Sequence, residues 1–335
     1  VTTHDAPQAN DRIALAGTDV SVPPLGVGTW AWGDKGTWGM GGYDASYSEE
    51  TILDAWQACI EAGVVLFDTA EVYGGGESER IIGRLLAHDP SVRDQVVIAT
   101  KFMPSPWKLA VTSSLVTAAK ASIERMGIAC IDLYQIHGPI SLRSHEALAE
   151  ALATAHADGL VKAVGVSNYS AKETRSIVGA LRKRDLQLAT NQIEFSLLRS
   201  MPEKVGLLEA CRELGVVPLA YSPIGQGRLT GKYTVAHPPP KQRTFSNFPM
   251  ETVEKIVGVL RGIGTAHGGH TPSQVALAWI IAKGVIPIPG AKNRAQAEDN
   301  AGALGWQMTD EEVAELDAVA LYGQRKISQR IWQHG

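Results

Sequence analysis

The amino-acid sequence predicts a single (β/α)8 barrel, and three observations carry that expectation. One phrase recurs along the chain, a helical segment, a glycine and then an aliphatic strand: "CIEAGVVLFDT", "AHADGLVKAVGVSN", "CRELGVVPLAYS" and "IIAKGVIPIPG", with "ERMGIACIDLYQIH" a close variant. Eight apolar strand candidates alternate with helical patterns, which implies a parallel sheet covered on both faces. The competing doubly wound fold requires G-x-G-x-x-G after an early strand. The nearest match, "GQGRLTG" at 225–231, is one residue too long and follows the seventh strand.

In chain order, residues 10–22 contain "DRIALAGTDVSV", a hairpin placed to close the barrel floor. The strand candidates are 25–30, 64–68, 96–101, 131–137, 161–167, 188–192, 216–221 and 285–289. Helices between them start at recognisable caps: Ser48, Ser144, and Thr271 of "TPSQ", a capping box with Pro at the first helical position. Gly63, Gly159, Gly215 and Gly284 suit the position just past a helix, where the chain turns through φ > 0. Two rim loops take up surplus length, 33–47, rich in Gly and Trp, and 225–249, which contains "HPPPKQ". The barrel spans about 24–305 of one domain covering 1–335, with 1–9 flexible. After it come a helix, "MTDEEVAELDAVA", capped by Thr309 and Glu312, and a tail from 321 to 335 expected to be irregular.

Composition narrows the function classes. The 335 residues are 44% hydrophobic with a formal charge of −4, and no basic run is placed to track a nucleic acid. Cys59, Cys130 and Cys211 are odd in number and set in apolar sequence, so reduced, buried thiols are expected. No apolar run approaches the roughly 18–20 residues of a membrane span. A soluble, intracellular, cytoplasmic protein is expected, or one in a plastid stroma if a transit peptide preceded Val1. His267 and His270 of "HGGH" lack a third ligand in register, so they read as residues at helix ends and no metal is expected. Monomer and homo-oligomer stay equally open.

The chemistry lies at strand ends, which in such a barrel face the functional mouth. Asp68 follows "VVLF", Tyr73 stands in the loop it opens, Lys101 ends "VVIAT", and His137 ends "DLYQI". Each alone has a structural explanation, but four ionisable groups from three adjacent strands suit one task. A phenol of ordinary pKa about 10 donates a proton near neutral pH if a Lys stabilises its phenolate. A carboxylate can hold that Lys while offsetting its burial, and a His N–H can orient a carbonyl oxygen. No side chain supplies a hydride, so a nicotinamide cofactor would complete the reaction.

"GVGTW", "FDTAEVYG", "ATKF", "DLYQIH", "GVSN", "NQIEFS", "AYSPIGQGRLTGKY" and "IPGAKNRAQAEDN" are similar, in order, to segments of the aldo-keto reductases, across roughly 10–320. "WAWGDKGTWGMGGYD" and "TKFMPSPWK" look most like the plant and cyanobacterial members. The resemblance implies a catalytic tetrad of Asp68, Tyr73, Lys101 and His137, with Tyr73 the general acid in carbonyl reduction. It implies that Ser167, Asn168 and Gln192 hold the nicotinamide carboxamide and that Tyr221 stacks on the ring. Ser222, Pro223, Ile224, Gly227 and Lys232 would follow the pyrophosphate, with Thr29 and Trp30 at the hydride end. Gly290, Lys292, Gln296, Asp299 and Asn300 would meet the adenosine. Some members grip the 2′-phosphate with Lys-Ser and an Arg where this chain has Gly290, Ala291 and Gln296; Lys292, Arg294 and Arg243 are the replacement charges. NADPH is thus favoured over NADH. Gly138 stands where many relatives carry Trp, which implies a wider pocket. Trp30, Trp32, Trp38 and Trp107 would supply aromatic walls for a small carbonyl substrate.

These residues imply a reductase converting an aldehyde or ketone to an alcohol. A cofactor-binding regulatory or scaffold protein, as in the potassium channel β subunits that share the fold, is the alternative. A hydrolase using Asp68 and another carboxylate is a third reading.

Overall fold

Eight parallel strands, each hydrogen-bonded to its neighbour in chain order, form the wall of a barrel. The structure is a computed structural model and describes residues 6–33, 48–240, 247–324 and 327–335. A floor hairpin pairs β1 (Ile13–Ala14) with β2 (Ser21–Val22). The wall runs β3 (Gly26–Gly28), β4 (Leu66–Asp68), β5 (Val97–Phe102), β6 (Ile131–Ile136), β7 (Val161–Ser167), β8 (Leu188–Glu194), β9 (Val217–Tyr221) and β10 (Ile286–Pro287). It closes where Gly28 bridges Gly290 and the Gly28 amide donates to the Pro289 carbonyl at 3.0 Å.

Five strands start later than their aliphatic runs, three of them for one reason. The amides of Val64, Val216 and Val285 donate to the carbonyls of Cys59, Cys211 and Ile280, ending the preceding helices. Each valine follows a glycine with φ between 72° and 74° (Gly63, Gly215 and Gly284), the geometry of a Schellman motif. An amide committed to a helix end cannot join the ladder. At the other end of β3, the expected strand gives way to one helical turn, Trp30–Gly33. The expected caps are present at Ser48, Ser144, Thr271 and Thr309, with capping boxes at Ser48, Thr271 and Thr309.

The core has two parts. Outside the wall, strand and helix side chains pack together around Phe67, Trp56 and Trp279. Inside, Leu66, Ala99, Leu133, Ala163, Ala189, Leu219 and Ile286 form an apolar plug that Leu15, Val20 and Val22 of the hairpin seal from below. Side chains alternate along a strand. Two residues beyond Leu66, Ala99 and Leu133, the same inner face therefore presents Asp68, Lys101 and Gln135.

Two expectations need correction. Residues 321–335 are not irregular throughout: Ile327–Trp332 is a helix, and the chain after it enters the barrel mouth. Cys130 is half-buried, whereas Cys59 and Cys211 are buried. Most of the 33–47 loop, with Trp38, and Arg243 lie outside the described residues. Among the described residues no helix is long and apolar enough to cross a membrane, and no cluster of metal-binding side chains occurs.

Candidate active site

Asp68, Lys101 and His137 arrive on adjacent strands, and the loop after β4 returns Tyr73 to them. That return needs Gly74 (φ 60°), where a Cβ would sit 2.2 Å from the Gly33 carbonyl oxygen. Lys101 is 0% exposed, and its Nζ donates to Asp68 Oδ2 at 2.5 Å, to the Thr69 carbonyl at 2.8 Å and to Tyr73 Oη at 3.2 Å. An ammonium has three protons, and each has an acceptor. The other Asp68 oxygen accepts from Gln192 Nε2 at 2.7 Å and Gln135 Nε2 at 3.2 Å. Thr190 Oγ1 donates to Gln135 Oε1, which fixes that amide's orientation. The His137 ring meets the Tyr73 ring edge-on, centroids 5.7 Å apart.

Burial lowers the Lys101 ammonium's pKa, but the Asp68 carboxylate and Tyr73 outweigh it, so Lys101 stays charged beyond its ordinary range. Burial holds His137 well below its ordinary value, with Lys101 adding to the effect, so the imidazole is neutral; among the described residues its Nδ1 has no hydrogen-bond partner. Tyr73 departs from the expectation that Lys101 makes it acidic. Burial, the largest influence, pushes the phenol up and Lys101 pulls it down, while Asp68 pushes it up again; the net direction is upward. Lys101 therefore limits the cost of a phenolate without making one the resting form.

Among the described residues, the expected cofactor-binding side chains lie on or after β3, β7, β8, β9 and β10. Ser167 Oγ donates to the Gln192 carbonyl and accepts from Asn168 Nδ2, and Tyr221 Oη donates to Asn168 Oδ1 at 2.9 Å. Among the described residues four non-glycines have positive φ, and Asn168 (64°), Ser222 (51°) and Gln226 (53°) are three of them. Such strain concentrates at binding sites. Gly227 (φ 87°) follows in the turn Gly225–Thr230, with Pro223 and Ile224 before it and Lys232 after, its Nζ over the Tyr233 ring. Thr29 is buried, its hydroxyl donating to the Asp68 carbonyl. Trp30 is half-buried beside Tyr73, ring centroids 6.3 Å apart. Beyond β10, the Lys292 amide donates to Gln296 Oε1, Asn300 Nδ2 to the Gly290 carbonyl, and Thr271 Oγ1 to Asp299. Arg294 is held by Glu61 and Glu298, so its charge is already shared.

Two expected pocket walls are not brought to the tetrad. Trp32 is 1% exposed, donates to the Ala291 carbonyl at 2.7 Å and packs against Phe67. Trp107 is 79% exposed on the rim. Nor does Gly138 leave a gap: a Cβ there would lie 3.1–3.3 Å from the Trp332 ring, which meets His137 edge-on at 5.2 Å. Next to it, Gln333 is fully buried and donates to Glu194 Oε2 at 2.6 Å and Tyr221 Oη at 2.7 Å. Sequence reasoning missed Trp332, Gln333 and Gln135. Only Gln135 carried a signal, two residues before His137 on the same inner face.

The donor set fits a nicotinamide carboxamide, whose amide and carbonyl need an acceptor and a donor. Gln192 Oε1 and the Ser167 hydroxyl oxygen could accept from its amide, and Asn168 Nδ2 has a second proton that could go to its carbonyl.

The family profile described as "Aldo/keto reductase family" matches residues 24–321. The chain is 37% identical over 328 residues to the chloroplastic pyridoxal reductase of Arabidopsis thaliana, covering 94% of this chain and 87% of that protein. A glycerol dehydrogenase from Gluconobacter oxydans superposes with a TM-score of 0.78 at 27% identity, covering 95% of this chain and 98% of the other. An aldo/keto reductase from Klebsiella pneumoniae, solved with NADP and acetate, gives 0.70 at 26% identity, covering 92% and 94%.

Proposed function

The chain belongs to the aldo/keto reductase family, and from that premise we propose that it is an oxidoreductase using NADPH to reduce an aldehyde or ketone to the alcohol. The observation that carries the reading is the buried Lys101 shared between Asp68 and the Tyr73 hydroxyl. NADPH, its carboxamide held by Ser167, Asn168 and Gln192, would supply a hydride to the carbonyl carbon. The chain supplies the rest: the Tyr73 hydroxyl gives its proton to the carbonyl oxygen, and Lys101 offsets the charge that appears on Tyr73 as the proton leaves. Neutral His137 offers an N–H to orient the carbonyl oxygen. Asp68 holds Lys101, and Gln135 and Gln192 hold Asp68. The named activity of the Arabidopsis relative makes pyridoxal the first substrate to try. Its chloroplastic description supports the stroma as the compartment, which imaging of the tagged protein would decide.

The test follows NADPH absorbance with pyridoxal and small reactive aldehydes, with NADH in parallel. Tyr73→Phe should lower kcat by roughly a hundredfold or more while NADPH still binds. An unchanged rate refutes the assigned acid. Tight NADPH retention with negligible turnover across the panel would favour a binding role instead.

A further inference from the structure

Four rings stand in series at the mouth: Trp30, Tyr73, His137 and Trp332, with successive centroids 6.3, 5.7 and 5.2 Å apart. The two indoles flank the pair that would hold a carbonyl oxygen. Trp332 reaches its place from the far end of the chain, over the one residue in "QIHGP" that has no side chain. On the reductase reading above, we propose that Trp332 is a specificity-determining residue selecting planar aromatic aldehydes, and that Gln333 is the positioning residue that keeps it there.

The anchoring is directional. Tyr221 Oη donates to Asn168 Oδ1 and so presents a lone pair to Gln333. Glu194 takes the second proton of the same amide, and Arg199 lies 3.6 Å from that carboxylate oxygen. The backbone is fixed as well: the amides of His334 and Gly335 donate to the Asn168 carbonyl, Arg199 Nη2 donates to the Gly335 carbonyl at 2.5 Å, and His334 Nδ1 lies 2.8 Å from Glu173. A buried amide satisfied at both protons costs desolvation if moved, so the backbone that carries the neighbouring indole is held in place. A planar ring bearing the carbonyl can lie against that indole, whereas a short alkyl group leaves the face unused.

Gly138 makes the arrangement testable. The indole occupies the space a residue 138 side chain would take, so the two positions are alternatives for one wall. The measurement is kcat/KM with NADPH for pyridine-4-carboxaldehyde and for propanal, taken as a ratio. Trp332→Ala should lower the ratio roughly tenfold. Gly138→Trp alone should also lower it, because the new ring displaces Trp332. The double variant, Gly138→Trp with Trp332→Ala, should recover most of the wild-type ratio. Gln333→Ala should raise KM for the aromatic aldehyde several-fold more than it changes kcat, a split that general destabilisation would not produce. A ratio unmoved by Trp332→Ala, or a double variant no better than Trp332→Ala, overturns this inference and leaves the reductase reading standing. Absence of turnover of any aldehyde by the wild-type protein overturns both.

Discussion

Asp68→Asn keeps the shape of the carboxylate and removes only its charge, so it isolates what that charge does. The introduced amide could still accept from Lys101 through its oxygen; its NH2 would then face Gln135 and Gln192, both of which now donate to Asp68. Gln135 is held by Thr190 and keeps its NH2 toward residue 68. The charge itself has no substitute, because Lys101 is fully buried and its other acceptors are a carbonyl and a phenol. Removing one member of a buried pair costs about 3–5 kcal/mol. At 1.36 kcal/mol per tenfold change in proton affinity, a loss of that size brings the Lys101 ammonium down toward neutral pH. The variant should therefore lose kcat by roughly a hundredfold to ten-thousandfold and should lose it more steeply as pH rises from 6 to 9, as the amine gives up its proton. The assay is NADPH consumption with a reactive aldehyde across that range, with circular dichroism to check folding and fluorescence titration to check that NADPH still binds. A variant with wild-type kcat and a flat profile would refute the role assigned to the pair.

The Tyr73 phenol is held above its ordinary value of 10, so kcat/KM for reduction should stay level from neutral pH to about 10 and fall only beyond it; a fall already complete by pH 8.5 would show another group in control. His137 titrates lower folded than unfolded, so below pH 6.5 the unfolded chain binds the extra proton. Stability should then drop by up to about 1.4 kcal/mol per pH unit, a slope that urea titrations should find reduced in His137→Gln, with half-buried His145 contributing in the same direction. Glu79 is fully buried, accepting from Arg125 Nε and from Thr100; Arg125→Ala should cost about 3 kcal/mol, and a variant within 0.5 kcal/mol of wild type by the same titration (roughly the scatter of surface changes) would show the pair to be dispensable. Burial pushes the Cys59 and Cys211 thiols up to about 12 and raises Cys130 as well; Cys130 alone is half-buried, so iodoacetamide should label it first, as mass spectrometry would read.

How much of this the sequence carried depends on how far each signal reaches along the chain. The wall strands are buried on both faces, so they appear as unbroken aliphatic runs, and a carboxylate, an ammonium and an imidazole ending three of them stand out. The strand starts at Val64, Val216 and Val285 were misplaced because an aliphatic residue after a glycine serves the helix end and the strand equally well by composition. The net direction of the Tyr73 shift was not legible either, since it is a balance between desolvation and Lys101 that only the packed site sets. The segment ending in Trp332 and Gln333 lay furthest out of reach. Its bonds join residues 139, 136 and 112 positions apart, and its own residues show neither a helical stripe nor strand alternation. Gly138 looked like an opening because only its absent side chain was visible; that a distant indole fills the space is a property of the fold. The consequence is specific: a pocket wall inferred from the residue at one position is sound only when no other segment can reach that space, and at this mouth one does.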